Sequence, residues 1–292
     1  MISVSLTGGL GNQLFQYAIA KNISLKNNLP VYLDVSWFKS QVLRAFNLID
    51  FNTSLPIFED EINTSDSYFR LNILNRFPGH SKYFNVIREE NMLLFNKNYL
   101  YPDNWSLMSG YYANTSYFSD IRSLLIDELR LKKIREQVRH VISGFGKNTV
   151  GVHLRKGDYL DRNANPDIFT LLGKDYFISG IKKLTDILNI SELRFIVFSD
   201  NINEAEKMLE GLDYNIEYIN HLGGFSDTEQ FYILSKCSHH IISNSTYSWW
   251  ASYLNNNPDR ICIQPQFWYD NALYQEAYSQ KKILQKDNTI FI

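Results

Sequence analysis

The sequence predicts an α/β protein of two halves, each built on a mainly parallel sheet. Three observations lead there. The chain opens as strand, Gly-rich turn, helix, strand, which is one βαβ unit. From residue 149 onward, short apolar strands alternate with helical patterns, as they do where helices cover both faces of a parallel sheet. Between these stretches lies a break, Ser143-Gly144-Phe145-Gly146-Lys147-Asn148, the expected domain boundary. The expected division is therefore residues 1–145 and 146–292, with the C-terminal segment reaching back to the first half.

The elements follow in order. Residues 2–6 alternate apolar and polar like a strand, and TGGLGN supplies a turn. Leu14, Phe15, Ala18, Ile19 and Ile23 recur at helical spacing up to Asn27-Asn28-Leu29-Pro30, and Val31–Asp34 is the second strand. Residues 37–118 are rich in Phe, Tyr, Leu and Asn without a clean period, so only short helices and loops are expected there. Residues 119–143 read as one helix, with Leu124, Leu125, Leu129, Ile134, Val138 and Val141 facing inward. Thr149–Leu154, Leu193–Phe198, Ile216–Ile219, His240–Ser243 and Arg260–Gln264 read as strands. Helices are expected over Tyr176–Leu188, Glu204–Leu212, Ser226–Cys237 and Thr246–Leu254, the third opened by a capping box, Ser226-Asp227-Thr228-Glu229.

Composition narrows the function. The 292 residues are 45% hydrophobic, 15% aromatic and 21% charged, a mixture that builds a core and excludes a disordered chain. A formal net charge of −2 argues against a protein built on non-specific nucleic-acid contacts. Two cysteines, Cys237 and Cys262, are too few for a disulfide framework or a Cys-based zinc site, and unpaired thiols in a reducing compartment are expected. The start lacks the pattern of a signal peptide, and no apolar run is long enough to span a membrane. A cytoplasmic protein is expected, with contact at a membrane surface left open.

Four constellations can carry chemistry. Gly8-Gly9-Leu10-Gly11-Asn12-Gln13 would expose backbone N–H groups at the positive end of a helix, an anion site or simply a tight turn. Gly9-Leu10-Gly11 with Asp34 at the next strand end also permits a dinucleotide reading, although Leu14 stands where the third glycine belongs. His153-Leu154-Arg155-Lys156-Gly157-Asp158 places His153 and Arg155 on one strand face, with a guanidinium suited to phosphate and Asp158 as its holder or as a base. Taken alone, His153 defaults to a structural role. Ser243-Asn244-Ser245-Thr246 brings hydroxyls, an amide and backbone N–H groups to a helix start, where a phosphate can be surrounded. The plainer alternative is helix capping by Asn244 or Ser245. Ser199-Asp200-Asn201 ends another strand, a place where open α/β sheets bind ligands, but an Asp-Asn turn would look the same. Glu229 is expected to be structural. The sequence has no Asp-x-Asp pair, no His-Glu-x-x-His and no spaced Cys/His ligand set, so leaving-group charge would fall to Arg155, hydroxyls and backbone N–H groups.

Three of these motifs together define a resemblance. Gly-Gly-Leu-Gly-Asn-Gln-Leu-Phe-Gln-Tyr (8–17), His-Leu-Arg-Lys-Gly-Asp-Tyr (153–159) and Ser-Asn-Ser-Thr-Tyr-Ser-Trp-Trp-Ala (243–251) resemble, in order and spacing, the bacterial α-1,2-fucosyltransferases of glycosyltransferase family 11. One departure is Lys156, where the family's His-x-Arg-Arg-x-Asp motif has a second arginine. The resemblance implies a GT-B-like fold with two Rossmann-like domains facing each other across a cleft, acceptor on the first and GDP-fucose on the second. It implies transfer of L-fucose with inversion from GDP-β-L-fucose to O2 of a galactose in a surface polysaccharide or blood-group-like glycan, free or lipid-linked, with no metal and no cofactor. It casts Arg155, Asp158 and Asn12 as catalytic. Substrate contacts would come from Gly9, Gly11, His153, Ser199, Asp200, Ser243, Asn244, Ser245 and Thr246. Two rivals from other classes are an NAD-dependent oxidoreductase and a non-catalytic glycan-binding protein using the aromatic-rich region 68–118.

Overall fold

The structure, a computed structural model, describes residues 1–57, 85–155, 169–190, 192–281, 284 and 287–292. These divide into two compact units, Met1–Arg130 and Leu131–Ile292.

In the first unit, β1 (Ile2–Ser5), β2 (Val31–Asp34), β3 (Asn85–Arg88) and β4 (Ser106–Ser109) form a four-stranded sheet in the order β2-β1-β4-β3. Every pairing in it is parallel. Helix α1 (Leu10–Asn27) buries Leu14, Phe15, Ala18, Ile19 and Ile23 and ends at Asn28 in the left-handed conformation, as the sequence pattern predicts. Strands β3 and β4 come from the stretch without a clean period. The expected helix over 119–143 is instead two, α2 (Arg122–Glu128) and α3 (Glu136–Ser143). The chain breaks between them because the Arg130 carbonyl accepts from Asn52 N–H (3.0 Å) and Arg135 is extended.

The second unit holds six parallel strands: β5 (Thr149–Leu154), β6 (Arg194–Ser199), β7 (Asn215–Tyr218), β8 (His239–Ile241), β9 (Cys262–Gln264) and β10 (Thr289–Phe291). They are joined by α4 (Lys174–Leu188), α5 (Ile202–Leu209), a short α6 (Ile219–Leu222), α7 (Asp227–Lys236), α8 (Thr246–Tyr253) and α9 (Ala272–Lys281). The spatial order is β7-β6-β5-β8-β9-β10. Numbered within the unit this is 3-2-1-4-5-6, the Rossmann order, which reverses direction between β5 and β8. All six residues of β5 are buried. Val150, Val152 and Leu154 pack with Phe177, Ile181 and Leu184 of α4 and with Ile241 and Ile263 of the flanking strands.

Two boundaries differ from expectation. The units divide before α3, not at the Gly144–Asn148 break, because α3 and the residues leading to it belong with α7. Arg135 makes a two-point ion pair with Glu229 (2.5 and 2.7 Å), and Glu229 also completes the capping box that opens α7. The C-terminal residues do not join the first unit: β10 is the edge strand of the second sheet.

Candidate functional site

The order of strands reverses between β5 and β8, and the carboxyl ends at such a switch point are where open α/β sheets bind ligands. The sequence places its polar motifs there. His153 lies within β5 and Arg155 follows it. Ile242–Ser245 link β8 directly to α8.

The two strand ends are joined by a buried hydrogen bond between His153 Nδ1 and Ser243 Oγ, 2.9 Å. Tyr247 lies almost parallel to the His153 ring (centroids 5.4 Å apart, 29° between planes) and donates its hydroxyl to the Asp227 carbonyl (2.7 Å). Burial, and then the Arg155 charge, push the His153 pKa down to about 3, so the imidazole is neutral. A neutral ring two residues from Arg155 adds no like charge to the guanidinium's surroundings. Arg155 itself is one-fifth exposed, with Nε 3.6 Å from Asp200 Oδ2 at the end of β6. Thus His153, Arg155, Asp200 and Ser243, read separately from the sequence, converge at one sheet edge.

The four-residue polar run divides its labour. Ser243 is buried against His153 and joins the two strands. Asn244 is buried too, and its amide nitrogen donates to the carbonyls of Thr170 (2.7 Å) and Trp268 (3.0 Å), so it holds the loop. Ser245 occupies the N-cap position of α8 yet makes no side-chain cap bond, so the capping alternative fails for its hydroxyl. Thr246 begins the helix and is partly exposed. Ser245 and Thr246 thus stand at the N-terminus of α8, where backbone N–H groups can accept an anion, while Ser243 and Asn244 hold the segment that leads to it.

Ser199 is corrected to a turn residue. Its hydroxyl donates to the Asn201 carbonyl and accepts Asn201 N–H, both 3.1 Å, while Asn201 Oδ1 accepts Glu204 N–H (3.2 Å) at the start of α5. Of that tripeptide, Asp200 faces Arg155. Asp158 and Lys156 lie outside the described residues.

In the first unit, Gly9 is the N-cap of α1, and Gly11 and Asn12 lie in its first turn. Gly8 has φ +77°, and a Cβ there would come within 2.7 Å of Asn12 Nδ2, so the turn needs glycine and Asn12 rests on it. Two buried glutamines brace this turn, and the sequence reading missed both. Gln13 Nε2 donates to the carbonyls of Gly8 (3.0 Å) and Ala45 (2.9 Å), and its Oε1 accepts Asn47 N–H (2.9 Å). Gln16 accepts Thr7 N–H (2.9 Å) and donates to the Gly110 carbonyl (2.9 Å). Both stand in the 8–17 motif, and their spacing puts them on the same buried stripe as Leu14 and Tyr17, but neither fact gives the backbone partners that define their role.

Asp34 does not suit the dinucleotide reading. Its carboxylate accepts Ser5 Oγ–H (3.1 Å) and Ser36 N–H (2.9 Å), which ties the strand ends.

A family model for glycosyl transferase family 11 matches residues 1–286. The chain belongs to glycosyl transferase family 11. Its relatives include an O-antigen biosynthesis glycosyltransferase, WbnK, of Escherichia coli, 30% identical over 90% of this chain and 93% of that protein. An alpha-1,2-colitosyltransferase of Escherichia coli is 26% identical over 92% and 93% of the two chains. A galactoside alpha-(1,2)-fucosyltransferase 2 of Hylobates lar is 22% identical over 87% and 69%. Among solved structures, the fucosyltransferase NodZ from Bradyrhizobium has a TM-score of 0.50 at 16% identity, over 86% of this chain and 92% of that one. That likeness fixes the fold as GT-B-like. This family 11 protein is a glycosyltransferase, and neither the oxidoreductase nor the non-catalytic reading finds support.

Proposed function

We propose that this family 11 enzyme transfers L-fucose from GDP-β-L-fucose to O2 of a terminal galactose, inverting the anomeric centre. The observation that carries the reading is the switch point of the second sheet, where a partly buried guanidinium and the N-terminus of α8 stand at the ends of adjacent strands. That edge suits a nucleoside diphosphate, and the fucosyl- and colitosyltransferase relatives supply the sugar and the linkage.

In this reading the fucose C1–O bond to the β-phosphate breaks and a bond from galactose O2 to C1 forms. Negative charge grows on the departing GDP, where Arg155, the Ser245 and Thr246 hydroxyls and the α8 amide groups receive it. Asp200 holds the Arg155 fork, and His153 with Ser243 fixes the two strand ends that carry these groups. Asp158 takes the proton from galactose O2. Asn12, Gly9 and Gly11 belong to the acceptor side, on the first unit. No metal or organic cofactor takes part. Because one relative is named for O-antigen biosynthesis, the acceptor is proposed to be a growing surface polysaccharide, lipid-linked, and fucosylated in the cytoplasm at the inner face of the membrane. No helix among the described residues is long and apolar enough to cross a membrane.

The test is transfer to lactose, N-acetyllactosamine and the type 1 disaccharide, with linkage analysis of the product. Fucose on galactose O2 is expected. Transfer from GDP-colitose but not GDP-fucose would change the donor, and attachment at any other oxygen would overturn the linkage.

A further inference from the structure

Glu89 follows β3 at the carboxyl edge of the first sheet, outside every motif considered so far. Its own N–H continues the β3–β4 ladder by donating to the Ser109 carbonyl (2.9 Å), which brings its side chain beside the turn that leaves β4. Glu89 Oε2 there accepts the N–H groups of Tyr111 (2.6 Å) and Tyr112 (2.9 Å), and Oε1 accepts Tyr112 N–H again (2.9 Å). Successive backbone N–H groups that converge in this way make an anion-binding concavity, and the chain fills it with its own carboxylate.

The turn is closely specified. Gly110 has no room for a side chain, since a Cβ would lie 2.4 Å from Glu89 Cβ and 2.7 Å from Oε2. Tyr112 has φ +53°, a conformation an L-residue keeps only where its surroundings impose it. Its ring is fully buried, edge-on to Tyr99 and Tyr117. Tyr111, the next residue back, is 39% exposed. The carboxylate thus pins a turn that sends one tyrosine into the core and leaves the other at the surface. The Gly110 carbonyl also receives the Gln16 amide that fastens Thr7, so this turn is tied to the one that seats Asn12.

Such an arrangement has no need of an exposed aromatic for folding. At the carboxyl edge of a parallel sheet, where ligands of α/β folds bind, a rigid tyrosine offers a wide amphipathic face at low entropic cost. The C–H face of a galactose is its natural complement. We propose that Glu89 is a positioning residue for the acceptor sugar: it locks the Gly110–Tyr112 turn and so presents Tyr111 as the platform on which the galactose packs. This rests on the reading of the first unit as the acceptor side.

Steady-state kinetics with both substrates varied test it. Glu89→Gln keeps the shape but turns an amide group toward N–H donors. It should raise KM for the galactoside about tenfold or more and leave KM for GDP-fucose within about twofold. Tyr111→Ala should do the same, and Tyr111→Phe should stay within about threefold of wild type because the ring is what matters. The double variant Glu89→Gln/Tyr111→Ala should be no worse than Tyr111→Ala alone, since both remove one platform. Equal effects of Glu89→Gln on both substrates, additive losses in the double variant, or a Tyr111→Ala enzyme with an unchanged acceptor KM would each overturn the assignment. Tyr111 is exposed, so its variant tests the proposal even where Glu89→Gln fails to fold. A wild-type enzyme that fucosylates no galactoside would instead overturn the functional reading, and it is recognised before any variant is made.

Discussion

Replacing Arg155 by alanine separates a transition-state role from a structural one, because the two predict effects of different size in different measurements. Arg155 Nε lies 3.6 Å from Asp200 Oδ2, and the two side chains are 21% and 28% exposed. A pair of that geometry, screened by solvent, contributes about 0–1 kcal/mol to stability. Strand β5 is held independently by six buried residues. The melting temperature of Arg155→Ala should therefore fall by no more than about 2–4 °C in a chain of this size. Catalysis should respond differently. In the proposed reaction the guanidinium meets charge that grows as the fucose–phosphate bond breaks, so its interaction would strengthen between ground and transition state. Losing one preorganised donor of this kind costs about 10²–10³ in kcat, or about 2.7–4 kcal/mol. Arg155→Lys should recover little, because a point charge on a flexible stem lacks the planar fork. The assay is GDP release with linkage-verified product, run on variants whose circular dichroism and melting match wild type. A folded Arg155→Ala enzyme with kcat within about fivefold of wild type would refute the argument. A collapse in melting temperature with little change in residual turnover would make Arg155 a strut.

Two further outcomes are expected. Fucose transfer should survive excess EDTA, because Arg155, Ser245, Thr246 and the α8 amide groups are proposed to meet the leaving-group charge; a loss of more than about tenfold, restored by Mn²⁺ or Mg²⁺, would show that a metal supplies it. His153 should make the fold acid-sensitive: with its pKa depressed to about 3, the unfolded chain binds more protons below pH 6.5, so stability falls as pH drops from about 6.5 toward 3. By pH 5 this one ring costs about 2 kcal/mol, so urea midpoints at pH 7 and pH 5 should differ less in His153→Gln than in wild type, and equal differences would contradict a neutral buried imidazole.

The second unit was largely legible in the sequence because its central strands are buried on both faces and several of its helices carry clear stripes or caps. The nine elements expected from residue 149 onward each begin or end within about two residues of the pattern, which is the ordinary scatter of element boundaries. The first unit was less so beyond β2. Strands β3 and β4 are short and only partly buried, so Asn85–Arg88 and Ser106–Ser109 show no alternation to distinguish them from the loops around them. The site was legible as an inventory but not as a division of labour. Ser243, Asn244, Ser245 and Thr246 look interchangeable in sequence, yet the first two hold the scaffold and the last two begin α8. That distinction depends on partners elsewhere in the chain, His153, Thr170 and Trp268. Gln13, Gln16 and Glu89 were missed for the same reason, since each gains its role from a backbone group on another loop.

The convergence at the second sheet follows from the strand order more than from any motif. Had β8 been added beyond β7, the ends of β5 and β8 would lie far apart, and Arg155 and Thr246 could not reach one ligand. The observed order makes β5 and β8 neighbours, with Val152 opposite Ile241, and the bond from His153 to Ser243 fixes their ends. The same bond carries an electrostatic consequence. A histidine buried beside an arginine would repel it if protonated, and desolvation prevents this by holding the ring neutral. The strand ends are thus tied by a polar contact that adds no charge, and beside it Asp200, at the end of β6, faces the Arg155 guanidinium. Under the proposed reaction, strand ends fixed in this way would hold the guanidinium and the α8 amide dipoles in place beforehand, which is the condition for them to act on the transition state without reorganising first.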